Sequence, residues 1–92
     1  MIKSFKSKDA EALFNDEVVP RFRAIERVAR RKLLYLNQAR ILADLKVPPG
    51  NHLESLKGNR AGQYSIRIND QWRICFQWNI AGPYAVEIVD YH

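Results

Sequence analysis

Ninety-two residues with an apolar share of 47% can bury one core but not two, which excludes a disordered chain and predicts a single domain spanning residues 1–92. No apolar run approaches the ~18–20 residues of a membrane helix, so no membrane partner is expected. The net charge of +5 is localised, because residues 17–46 carry eight Lys/Arg against three acids while the flanking segments are balanced. A basic small domain is expected to meet polyanions. A single cysteine, Cys75, leaves no partner for an internal disulfide and points to a reducing, cytoplasmic setting. Residues 1–6 contain no apolar core of a secretory signal. With one Cys and two His, no structural zinc site is expected, and no cofactor is implied.

In chain order, residues 2–5 have room only for a short strand. Ser7 suits a helix N-cap, with Asp9 and Glu11 in the first turn where the helix dipole favours acids. Ala10, Leu13 and Phe14 then share one helical face. Residues 15–20 break the pattern, and Pro20 places the start of the next helix nearby. Phe22, Ile25, Val28, Ala29, Leu33 and Leu36 recur at spacings of three and four and form an apolar stripe, with Arg23, Arg27, Arg30 and Arg31 on the opposite side. That basic side is either a solvated face or a docking ramp for RNA phosphates or an acidic protein. A pause at Asn37-Gln38 precedes another short helical piece over residues 39–45.

Pro48-Pro49-Gly50 blocks helix continuation and divides a helical half from a β half. Residues 52–57 form an extended segment, and Gly58 and Gly62 bracket a loop. Tyr64, Ile66 and Ile68 alternate with Ser65 and Arg67. After a hairpin turn at Asn69-Asp70, Trp72, Ile74, Phe76 and Trp78 alternate with Arg73, Cys75 and Gln77. After a turn at residues 79–83, Tyr84, Val86 and Ile88 alternate with Ala85, Glu87, Val89 and Tyr91. The pattern predicts an α+β domain: N-terminal helices on one face of a mainly antiparallel sheet that ends in a β-meander.

Strand parity then carries functional content. With the large apolar sets turned to the helices, Arg67, Arg73 and Tyr91 project from the other face, within reach of Lys57 and Arg60. Asp90 has the inward parity, at the strand end. Arginine offers paired donors to phosphate oxygens and lysine a mobile charge. Tyrosine can stack on an unstacked base, and His92 can carry a proton near neutral pH. The set suits RNA cleavage in which the 2′-hydroxyl attacks the adjacent phosphorus. Bland alternatives stand beside it: Arg73 can pair with Glu87 across the ladder, Glu54 with a nearby base, and His52 can be a surface residue. Cys75 reads as a small packing residue.

The run from Leu53-Glu54-Ser55-Leu56-Lys57-Gly58-Asn59-Arg60-Ala61-Gly62 through Ser65-Ile66-Arg67 and Trp72-Arg73-Ile74-Cys75-Phe76 to Asp90-Tyr91-His92 resembles the HigB branch of the RelE/ParE toxin superfamily. The resemblance covers essentially the whole chain. It implies a compact RelE-like α+β ribonuclease of a bacterial toxin–antitoxin pair, which cuts mRNA in the ribosomal A site without metal. A cognate helix-turn-helix antitoxin (HigA-like) would neutralise it, and the complex would repress its own operon, so that operator DNA is met only through the antitoxin. On this reading Arg73 stabilises the transition-state phosphate and Lys57 adds charge. Tyr91 and His92 serve stacking and proton transfer, and Asp90 orients or shares that work. Arg60, Arg67, Arg23, Arg27, Arg30 and Arg31 would hold RNA or the ribosome. One departure stands out. Some HigB-like proteins have histidine where this chain has Glu54, which predicts a milder ribonuclease and leaves the general base open. Two other readings remain: a gyrase poison of the ParE branch, and a non-enzymatic corepressor working through the basic helix.

Overall fold

The computed structural model describes residues 1–91. Helix α1 (Lys8–Phe14) begins where the sequence predicts, because the Ser7 Oγ accepts from the Ala10 N–H at 3.3 Å and so satisfies one free helix-start donor. Asn15 ends it, and Asp16 turns the chain in the left-handed region at φ 64°.

Pro20 does not open the second helix. It starts a single 3₁₀ turn, Pro20–Phe22, and α2 runs from Glu26 to Gln38. The residue before α2 is Ile25, which has no side-chain oxygen to cap it, so no local signal marks the boundary. The apolar stripe is nonetheless continuous. Phe22, Ile25, Ala29, Leu33 and Leu36 are all buried, with Val28 packed partly at their edge. The Phe22 ring meets Trp72 of the sheet in a T-shaped contact at 5.4 Å between centroids. The helical piece expected over residues 39–45 is a 3₁₀ turn, Leu42–Lys46, capped by Asp44, whose carboxylate accepts from the Arg40 and Ile41 N–H groups. These two bonds hold the Asp44 carboxyl below its ordinary pKa.

Arg30 does not belong to a free basic face. Its Nε donates to the Leu13 carbonyl (3.1 Å) and its Nη2 to that of Glu17 (2.9 Å), with Asp16 and Glu26 as ion-pair partners. The guanidinium thereby shares the Leu13 carbonyl with the Asp16 N–H, takes the Glu17 carbonyl of the following turn, and ties the end of α1 to α2. Arg30→Met, which keeps the stem and removes the donors, should cost about 1–2 kcal/mol. In a domain of this size that lowers the thermal midpoint by roughly 5–10 °C, readable by circular dichroism.

The sheet has four antiparallel strands in the order β1-β2-β3-β4: Glu54–Ser55, Tyr64–Arg67, Trp72–Asn79 and Gly82–Asp90. In the first hairpin the Asn69 Oδ1 accepts from the Gln71 and Trp72 N–H groups at 2.9 and 2.8 Å, a side-chain mimic of a backbone turn. Ile66, Ile74, Phe76, Val86 and Ile88 face the helices and complete the core. Residues 2–5 contribute no full strand. They lie beside β4 through a single parallel bridge, Phe5 to Val86.

One alternation fails. The β3–β4 register slips between Cys75 and Gln77, and Ala85 takes φ 53°. This bulge inserts one extra residue and reverses side-chain parity. Tyr84 therefore pairs with Gln77, to which its hydroxyl donates at 3.1 Å, instead of facing the helices with Val86 and Ile88. The Ser4 side chain and backbone accept from the Ala85 and Val86 N–H groups that the bulge presents.

Candidate active site

Opposite partners in a ladder share a face, and the pairings Glu54–Ser65, Ser65–Cys75 and Cys75–Glu87 draw one row across all four strands. The next row is Arg67–Arg73–Val89. Two arginines directly opposite each other repel, and each turns to an acid. Arg67 pairs with Asp70 at the hairpin, and Arg73 reaches back along the face to Glu54.

Arg73 is the centre of the site. Only 6% exposed, it donates from Nη1 to the Glu54 carboxylate (2.5 Å) and the Ser65 hydroxyl (2.7 Å), and from Nη2 to the His52 carbonyl (3.2 Å). The Tyr91 ring lies over the guanidinium, 5.4 Å from its carbon, in a cation–π contact. A guanidinium has five N–H groups. These three bonds leave two without a partner among the described residues. The charge is thus buried, oriented from three sides and still able to donate.

The expected Arg73–Glu87 pair does not form. Glu87 takes Arg60 (3.1 Å) and Lys6 (3.5 Å) instead, and the Arg60 Nη1 also donates to Gln63. The Glu87 bond holds the Arg60 pKa above its ordinary value. Arg60, Val89, Asp90 and Tyr91 line an open cleft of about 390 Å³. Asp90 accepts from the Gln71 Nε2 at 3.1 Å, and the Tyr91 N–H donates to the Gln71 carbonyl at 2.5 Å. Gln71 therefore fastens the end of β4 to the hairpin. Cys75 is fully buried beneath this face, where desolvation pushes its thiol pKa up, as befits a packing residue.

Of the residues singled out in the sequence, Arg73, Tyr91 and Glu54 come together, with Arg60 and Asp90 on the adjoining cleft. The cation beside Glu54 is Arg73 and not Lys57. Lys57 is exposed at the start of the turn Gly58–Arg60, without an ion pair among the described residues. Arg67 is held at the hairpin. Arg23, Arg27 and Arg31 are exposed around α2, away from the cleft, and Arg30 is tied to α1. His92 lies outside the described residues. Three groups have roles that the sequence reading missed. Ser65 shares the parity of Arg67, so its presence on this face was legible. The Glu87–Arg60 pair and the His52 carbonyl were not: one depends on loop placement, and the other is a main-chain atom that any residue would supply.

Residues 3–92 match the family described as the RelE-like toxin of the type II toxin-antitoxin system HigB. The chain is 42% identical to Toxin HigB-1 of Vibrio cholerae serotype O1, over 85% of its own length and 84% of that protein's. It is 35% identical to Endoribonuclease HigB of Proteus vulgaris over the full length of both. With a sheet face built around a buried arginine and a family match spanning nearly every residue, this chain belongs to the HigB-like, RelE-related toxins of type II toxin–antitoxin systems.

Proposed function

We propose that this single-domain toxin is a cytoplasmic endoribonuclease that cuts mRNA in the ribosomal A site. In the reaction the RNA 2′-oxygen forms a bond to the adjacent phosphorus while the bond from phosphorus to the 5′-oxygen breaks. The 2′ proton must leave and the 5′-oxygen must gain one, and two negative oxygens on phosphorus need donors. The observation that carries the reading is the state of Arg73: a buried guanidinium, fixed by Glu54, Ser65 and His52 and packed against Tyr91, whose residue lines the adjoining open cleft. Such a group is pre-oriented for phosphate oxygens, and its low-dielectric setting strengthens the interaction. The Tyr91 ring, 43% exposed, offers a surface on which an unstacked base can rest. Arg60 adds a second fixed cation across the cleft, and Lys57 a mobile one. Asp90 and His92 at the end of the chain take the proton transfers, with Glu54 as the further candidate. The endoribonuclease name of the Proteus vulgaris relative supports the activity.

As a type II toxin the chain has a cognate antitoxin. We assign that antitoxin to the HigA-like helix-turn-helix class, and operator DNA contact to the complex alone. Arg23, Arg27 and Arg31 supply a sequence-independent attraction for ribosomal RNA. Primer extension on a defined message, with purified toxin and with or without programmed 70S ribosomes, tests the reading. Cuts within the A-site codon are expected only with ribosomes, and are expected to vanish in Arg73→Ala and in a chain lacking His92. Cuts on naked RNA would remove the ribosome from the mechanism. Growth arrest with no cuts under any condition would instead favour gyrase as the target.

A further inference from the structure

Lys32 is an anomaly in the helix layer. It lies on the buried side of α2, only 6% exposed, with no carboxylate partner among the described residues. Burial pushes its pKa down, and the neighbouring Arg31 and Arg67 charges add to the effect. A buried charge without a counter-ion is unfavourable unless hydrogen bonds offset its desolvation. Its Nζ donates to the Asn51 Oδ1 at 2.5 Å and lies 5.8 Å from the centroid of the Tyr35 ring.

Asn51 is fully buried. While its Oδ1 accepts from Lys32, its Nδ2 donates to the Leu45 carbonyl (3.1 Å) and the Val47 carbonyl (3.2 Å). Only a side-chain amide can accept on one side and donate twice on the other. It therefore closes the segment from Leu45 to Asn51 on itself and attaches it to α2. The next residue, His52, takes the left-handed conformation at φ 46° and ψ 57°, which a non-glycine residue adopts only when its surroundings hold it there. Its carbonyl receives the Arg73 Nη2, and Glu54, two residues on, receives the Nη1. The segment thus begins against the helix layer at Lys32 and ends on the opposite face at Arg73.

We propose that Lys32 and Asn51 are a positioning pair for Arg73, holding the 45–52 segment so that the His52 carbonyl and the Glu54 carboxylate meet the guanidinium in one orientation. Neither side chain touches the cleft. Their effect on cleavage rests on the nuclease reading above; their effect on Arg73 does not. Misplacing a phosphate-binding group by a fraction of an ångström slows the chemical step more than it weakens substrate binding.

The test uses the full-length chain. Lys32→Met removes the ammonium and keeps an unbranched stem of similar reach. With ribosome-bound message, kcat should fall about tenfold while KM stays within about twofold. In free protein labelled with ¹⁵N-arginine, the Arg73 side-chain N–H resonances should shift and lose protection from exchange, while the amides of β2–β4 keep theirs. Asn51→Asp can still accept from Lys32 but offers no N–H to the Leu45 and Val47 carbonyls, and should give the same pattern. Unmoved Arg73 resonances in folded variants, or an unchanged kcat, would overturn the proposal. So would unfolding of both variants, because the pair would then be a stabiliser of the whole core. A wild-type chain that cuts no message defeats the nuclease reading alone and leaves the resonance test decisive for the pair.

Discussion

Arg73→Lys is expected to fold with near wild-type stability and yet lose about 10²–10³ of its cleavage rate, the scale seen when one fixed donor to a developing oxyanion is removed. Arginine has five N–H groups and lysine three. Glu54, Ser65 and the His52 carbonyl together accept three bonds from Arg73. A lysine that satisfied all three would have nothing left for phosphate, and one that turned to phosphate would leave the buried Ser65 hydroxyl without its donor. Either way the positive charge is kept and the function is lost. Arg73→Ala should be no less inactive, with a larger loss of stability because it abandons all three acceptors at once. Single-turnover cleavage beside a thermal melt separates the two effects. An Arg73→Lys chain retaining a tenth or more of the wild-type rate would show that charge alone suffices and that the planar fork has no special part.

The second large effect concerns Glu54, and its direction is a gain. Glu54 is 58% exposed on its side chain and bonded to Arg73. It neutralises part of the charge that the phosphate needs, and as a base it would first have to leave the guanidinium. Glu54→His removes the negative charge and introduces a group suited to proton transfer at neutral pH. Cleavage is expected to rise about tenfold or more, with the ~10²–10⁴ open to a well-placed general base as the upper bound. The cost is about 1.5–3 kcal/mol of stability, because the buried Arg73 guanidinium loses a charged hydrogen bond. Glu54→Gln separates the causes, since it removes the charge without adding a base. Its gain should be a few-fold at most if proton transfer is what the chain lacks. The pH profile provides a second check. A neutral imidazole is the active form, so the Glu54→His gain should be present above the imidazole pKa and disappear as pH falls through it. The neighbouring Arg73 charge displaces that point below the ordinary ~6.5. A Glu54→His chain no more active than wild type would remove the idea that glutamate moderates this toxin.

Together the two predictions define how the site is balanced. In the proposed mechanism Arg73 needs acceptors to be held in place, and the same acceptors compete with substrate for its N–H groups. Ser65 and the His52 carbonyl are neutral and orient the guanidinium without cancelling its charge. Glu54 orients it and cancels it, which makes position 54 the natural place to adjust potency without disturbing the fold.

The periodic features of the chain were legible because they are local. Phe22, Ile25, Ala29, Leu33 and Leu36 fall on one side whether the backbone is α-helical or 3₁₀ at their start. Alternation in β2 and β3 brings Arg73 to one face and Ile74 to the other by pleating alone. Strand parity likewise predicted the Arg73–Tyr91 neighbourhood. What only the tertiary structure decided is which strand positions stand opposite each other. Arg73 pairs with Glu54 and not Glu87 because the β1–β2 register and the turn Gly58–Arg60 bring Arg60 to Glu87 first. The bulge at Ala85 turns Tyr84 to the outer face because one inserted residue reverses every parity before it. Arg30 leaves the basic face because the turn after α1 brings the Leu13 and Glu17 carbonyls within its reach. Lys32, which reads as one more cation of a basic helix, is buried because Asn51, 19 residues on, folds back to meet it. Periodicity is written into neighbouring residues, whereas register, bulges and the choice of charge partner are set by segments that meet only after the chain has closed on itself.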